Sequence, residues 1–140
     1  MGPLGSAMRL PYPCPDPSDS LDIAWDSGNL LAEPWVAAMA ACMQDPEHHA
    51  EGDVWTHTKL VCEALVALPA WSALPALDRE VVFAACLLHD IAKPPTTRVE
   101  DGRIRHPGHS PRGATTVRDM LWRMGVDPHV RERVAGLVRF

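Results

Sequence analysis

The chain has 140 residues, 46% hydrophobic and 22% charged, which suits a single domain with its own core. A formal net charge of −5 argues against a broad basic nucleic-acid groove, yet leaves room for an enzyme that grips one terminal phosphate through a cation. No apolar run reaches the roughly 20 residues of a membrane span, and Cys14, Cys42, Cys62 and Cys86 form no C-x-x-C pair, so no membrane span, zinc ribbon or disulfide framework is indicated and a cytoplasmic setting is expected.

The opening Met1-Gly2-Pro3-Leu4-Gly5-Ser6 looks like vector sequence, so residues 1–8 are set aside as a tag remnant. Residues 9–29, rich in Pro, Asp and Ser, read as a flexible arm. The folded domain is expected over 30–140. Pro34 suits the first turn of a helix reaching Met43 and ending before Asp45-Pro46. A polar loop, Glu47-His48-His49-Ala50-Glu51-Gly52, leads to Asp53, a plausible N-cap.

The second helix, over 54–68, places Val54, His57, Val61, Ala64, Leu65 and Leu68 on one face, so His57 is expected to point inward. A third helix is expected from Glu80 to His89, stopped by Pro94-Pro95. Cys62 and Cys86 read as buried free thiols. Beyond it, Asp101-Gly102 between Thr97-Arg98-Val99-Glu100 and Arg103-Ile104-Arg105 predicts a short two-stranded ribbon. Ser110-Pro111 starts a fourth helix through Met124, closed by Gly125, with Ala114, Val117, Leu121 and Met124 inward. Asp127-Pro128 starts a fifth, with Val130, Val134, Leu137 and Val138 inward. The fold class is all-α, with a small β-hairpin insertion.

Chemistry concentrates where the third helix ends, at Leu87-Leu88-His89-Asp90-Ile91-Ala92-Lys93. Two imidazoles, His57 and His89, and the Asp90 carboxylate make a borderline-soft set suited to Mn, Ni, Co, Fe or Zn, with positions open for water and substrate. Such a cation polarises a phosphoryl oxygen and acidifies water. Lys93, one turn past Asp90, is placed to reach a phosphate as a compact charge. His109, on a Gly-containing loop, has three open readings: ligand to a second cation, proton donor to a leaving oxygen, or solvent-facing loop histidine. His49 and Arg112 are weaker candidates for substrate contact. The helix macrodipole disfavours Arg112 in the first turn of its helix, which makes a phosphate contact more attractive. His48, His106 and His129 read as surface.

These stretches together resemble the HD superfamily of metal-dependent phosphohydrolases. The likeness rests on Gly52-Asp53-Val54-Trp55-Thr56-His57-Thr58, the His89-Asp90 pair with Lys93-Pro94, Asp101-Gly102-Arg103-Ile104 and Gly108-His109. It is most similar to the HD module of bacterial RNA-repair enzymes that join an HD phosphohydrolase to a polynucleotide kinase. It is similar too to the HD domain of CCA-adding tRNA nucleotidyltransferases. The resemblance implies a helical bundle holding one or two divalent cations. It makes His57, His89 and Asp90 metal ligands, and Asp90, Lys93 and His109 active-site groups. The implied substrates are 2′-phosphate, 3′-phosphate or 2′,3′-cyclic phosphate ends of RNA or nucleotides, and a kinase domain is expected in the natural full-length protein. The family's final Asp ligand follows a helix resembling residues 130–140, so a domain truncated at its C-terminus is expected. The alternative expectation is a catalytically incomplete HD fold that binds nucleotide or phosphate as a regulatory module.

Overall fold

A computed structural model describes residues 10–46 and 52–140. After a 3-10 turn over Ser27–Ala32 come helices α1 (Pro34–Ala40), α2 (Val54–Val66), α3 (Pro69–Ser72), α4 (Ala76–Leu88) and α5 (Lys93–Thr96). Strands β1 (Arg98–Glu100) and β2 (Arg103–Arg105) form the hairpin, and α6 (His109–Arg123) and α7 (Pro128–Arg139) complete the bundle. Among the described residues the architecture is seven helices and one hairpin, the all-α class expected. None of these helices is long and apolar enough to cross a membrane.

Local chemistry explains most boundaries. Asp53 caps α2, its carboxylate accepting from the Thr56 N–H at 2.8 Å and from the Thr56 hydroxyl at 2.8 Å. Asp127 caps α7 by accepting from the N–H groups of His129 and Val130, and Pro128 occupies the first turn, where its missing N–H costs nothing. The hairpin pairs Arg98 with Arg105, Val99 with Ile104 and Glu100 with Arg103. Its two-residue turn has φ 52° at Asp101 and 75° at Gly102, the left-handed pair that an Asp-Gly sequence supplies.

Several expectations need correction. Helix α1 stops at Ala40 rather than Met43, because Met43 is drawn into an antiparallel bridge with Asp53. That bridge, with Gln44 N–H donating to the Gly52 carbonyl at 3.0 Å, pins the end of α1 to the start of α2. The buried stripe of α2 is Val54, Trp55, Thr58, Cys62 and Val66, while Leu68 is exposed, so the inward face is rotated from the one expected. Two aromatic neighbours cause the rotation: Trp35 and Trp25 stack edge-on against Trp55 at 6.4 and 5.5 Å. Helix α4 starts at Ala76, four residues before Glu80, with Asp78 as the acid in its first turn. It ends at Leu88, and Pro94 and Pro95 do not stop it. They sit in the first turn of α5, where proline is tolerated. Met124 and Leu137 are exposed. Cys62 is fully buried and Cys86 half-buried, both as free thiols.

The proline-rich stretch has irregular backbone, but its apolar residues are not idle. Leu10 is buried in the core, and Tyr12, Cys14, Ile23 and Trp25 pack against it. The Trp25 indole donates to Glu63 at 3.3 Å. The core lies between α2, α4, α6 and α7 and includes Phe83, Leu87, Leu88, Val117, Leu121 and Val134. Gly113 lets α6 approach closely: a Cβ there would stand 3.3 Å from Val138 Cγ1 and 3.8 Å from both Ala92 and Ile91. This close approach brings His109, one turn earlier on α6, over the His89-Asp90 turn.

Candidate metal centre

Asp90 is 2% exposed, in the turn just after α4, and everything at the site is arranged around its carboxylate. Oδ2 lies 3.1 Å from His89 Nε2, 3.2 Å from Lys93 Nζ and 3.9 Å from His57 Nε2. Oδ1 lies 3.4 Å from His109 Nε2. Ligand atoms of His57, His89 and Asp90 all fall within 4.8 Å of one another. The predicted triad therefore converges, with His57 reaching in from α2 and His89 and Asp90 from the end of α4. His57 flanks the buried stripe of α2 rather than lying in it, which leaves its ring half-open toward His89 at 6.1 Å between centroids.

Two of the imidazoles have their tautomers set by backbone carbonyls. His89 Nδ1 donates to the Cys86 carbonyl at 2.6 Å, and His109 Nδ1 donates to the His106 carbonyl at 3.0 Å. A carbonyl only accepts, so each Nδ1 carries the proton and each neutral ring turns the Nε2 lone pair toward Asp90. Acceptor then faces acceptor unless a proton or a cation lies between them. Burial opposes charge on His89, but the hydrogen bond and negative charge of Asp90 outweigh it and raise its pKa above 6.5. Burial likewise opposes the Asp90 carboxylate, yet His109 and His89, through a proton held between ring and carboxylate, and the charge of Lys93 hold it well below the ordinary range. Asp90 Oδ2 is wholly buried and lacks a well-formed hydrogen bond. A divalent cation would satisfy that oxygen and the converging lone pairs together, so the donor set fits such an ion.

Lys93, expected to reach a phosphate, is instead held beneath the carboxylate. It is 6% exposed, and its ammonium donates to Gln44 Oε1 at 2.6 Å while standing against Asp90. Ser110 Oγ stands 3.4 Å from His109 Nε2. Arg112 is exposed in the first turn of α6, three residues past His109. His49 lies outside the described residues. Two residues at the site escaped sequence reasoning. Gln44, 1% exposed, follows an apolar helix with no pattern to mark it, and only the Met43–Asp53 bridge carries it to Lys93. His106 is half-buried rather than on the surface. Its Nδ1 meets Thr97 Oγ1 at 3.0 Å, and its ring stands edge-on to His109 at 6.4 Å.

The HD domain family matches residues 53–140. The chain is 33% identical over 111 residues to a multifunctional CCA protein of Halorhodospira halophila, covering 79% of this chain and 24% of that protein. It is 37% identical over 108 residues to a CC-adding tRNA nucleotidyltransferase of Thermus thermophilus, covering 76% and 23% respectively. A multifunctional CCA protein of an Acidovorax species is 33% identical over 119 residues, covering 84% and 26%. The chain thus spans about a quarter of the length of the curated relatives it matches. No solved structure matches it.

Proposed function

The chain belongs to the HD domain family, and on that premise we propose that it hydrolyses 2′-phosphate, 3′-phosphate or 2′,3′-cyclic phosphate ends of RNA or nucleotides with a divalent transition metal. The observation that carries this reading is the convergence of His57, His89 and Asp90, with a buried carboxylate oxygen left without a well-formed hydrogen bond. Names of the relatives add support for the substrate class, since one is a tRNA nucleotidyltransferase and tRNA offers a 3′ end.

His57, His89 and Asp90 would hold the ion, which is Mn, Ni, Co, Fe or Zn by donor chemistry. When bound it supplies Lewis acidity toward a phosphoryl oxygen and acidifies water near neutral pH. His109 presents Nε2 to Asp90 Oδ1, and once that nitrogen takes up a proton it is placed to hand it to the leaving oxygen. Lys93 holds a positive charge beneath the carboxylate, backed by Gln44, and adds attraction for a phosphate group above it. The natural setting we propose is cytoplasmic, with a kinase domain elsewhere in the full-length protein.

The test joins binding to turnover. Calorimetric titration of Mn, Ni or Co into wild type and Asp90→Ala is expected to show binding only in the wild type. The metal-loaded wild type is expected to release phosphate from a 3′-phosphate end or open a 2′,3′-cyclic phosphate. Equal metal affinity in both proteins would remove the site assignment. Metal binding that depends on Asp90, with no turnover of any of the three ends, would instead mark a nucleotide- or phosphate-binding regulatory module.

A further inference from the structure

Most of the cations among the described residues are occupied. Among the described residues, Arg118 and Arg131 meet Glu132, Arg123 meets Asp119, Arg133 meets Asp78, and Arg79 donates to the Leu74 carbonyl. Lys59 and Arg139 lie over aromatic rings, Lys93 is paired with Asp90, and Arg103 has a partner. The exceptions are Arg98, Arg105 and Arg112. All three are exposed, and all three lie within residues 98–112, the stretch that carries His109.

Their placement is specific. Arg98 and Arg105 are direct cross-strand partners, so their side chains leave the same face of the hairpin. Like charges directly opposite each other do not favour a strand pair, and the same face carries Glu100 opposite Arg103. The other face carries Val99 and Ile104, which line an apolar groove with Ala41, Met43 and Pro94, so the arginine face is turned away from that groove. The hairpin base is tied to the site from both ends. Thr97 Oγ1 donates to the Lys93 carbonyl at 2.7 Å and meets His106 at 3.0 Å, and the His106 carbonyl in turn holds His109. Arg112 lies in the first turn of α6, three residues from His109, which reaches Asp90.

We propose that Arg98 and Arg105, joined by Arg112, grip the phosphodiester backbone of a single-stranded polynucleotide whose terminal phosphate sits at Asp90. The inference rests on the phosphohydrolase reading above and adds to it that the substrate is a polymer end rather than a mononucleotide. In a chain of net charge −5, three unpaired guanidinium groups within residues 98–112 favour an anionic ligand that extends beyond a single phosphate.

The experiment uses the full chain with Mn present. A fluorescein-labelled oligouridylate ending in a 3′-phosphate is titrated by anisotropy across salt concentrations, and uridine 3′-phosphate is measured by competition. The double variant Arg98→Ala/Arg105→Ala is expected to bind the oligonucleotide at least tenfold more weakly. Its salt slope should be shallower by about 1.4, the loss of two single-strand phosphate contacts. Affinity for uridine 3′-phosphate should hold. Arg98→Lys/Arg105→Lys should recover most of the salt slope, which a merely structural role would not predict. Equal weakening of both ligands, or of neither, overturns the inference. His89→Ala separates the two levels of the claim. If it weakens both ligands while the arginine variant weakens neither, only the polymer contact falls. If it weakens neither ligand, the phosphohydrolase reading falls and this inference with it.

Discussion

Replacing Lys93 by Met should lower the stability of the metal-free protein and tighten its hold on a metal at the same time. The Lys93 ammonium is buried between Gln44 Oε1 at 2.6 Å and Asp90 Oδ2 at 3.2 Å. Met keeps most of the stem volume and removes the charge. Breaking one partner of a buried pair costs about 3–5 kcal/mol. Here Asp90 retains His89 and His109, so the low end, about 3 kcal/mol, is expected. For a domain of this size that is a fall in Tm of about 10 °C. The metal effect has the opposite sign. Two unit charges 4 Å apart repel by about 4 kcal/mol at an effective dielectric near 20, and a divalent ion at Asp90 would feel more. Removing the ammonium relieves that repulsion, so Mn affinity should rise by about tenfold or more, while phosphatase activity falls. Calorimetry with and without Mn, together with thermal unfolding, reads both effects. An unchanged Tm, or a metal affinity that falls together with stability, would refute the view of Lys93 as a buried countercharge to Asp90.

Other perturbations test other parts of the argument. His89 has a raised pKa, so its contribution to metal-free stability is full below 6.5 and lost as pH rises through the folded value. Asp90 has a depressed pKa, so its contribution is present above 3.8 and lost as pH falls toward the folded value. Metal binding needs the neutral imidazole, so Mn should stabilise the protein more at pH 8 than at pH 6, and a reversed trend in Tm would count against His89 as a ligand. Gly113→Ala should cost about 1 kcal/mol, because its Cβ would press Val138 at 3.3 Å, and a stabilised variant would show the α6 approach to be slack. Trp25→Ala should cost about 2 kcal/mol in chemical denaturation through its lost ring stack on Trp55 and its lost burial. No change would return the proline-rich stretch to the status of a free arm.

Local signals in the sequence carried the parts of the fold that depend on neighbouring residues. Asp53 and Asp127 cap helices because a carboxylate reaches free N–H groups two or three residues on. Asp101-Gly102 turns the hairpin because both positions need positive φ. The grouping of His57 with His89-Asp90 was legible in residue type, since two imidazoles and a carboxylate share one donor chemistry, and the structure brings their ligand atoms within 4.8 Å of one another. What the tertiary structure decided was everything set by packing at a distance. The rotation of α2 came from Trp25 and Trp35, which no periodicity within the helix could reveal. Gln44 reached Lys93 across 49 residues of sequence, because an isolated backbone bridge placed it there. Burial then turned Lys93, expected to reach a phosphate, into a charge held beneath Asp90, since an ammonium taken out of water must find acceptors within reach.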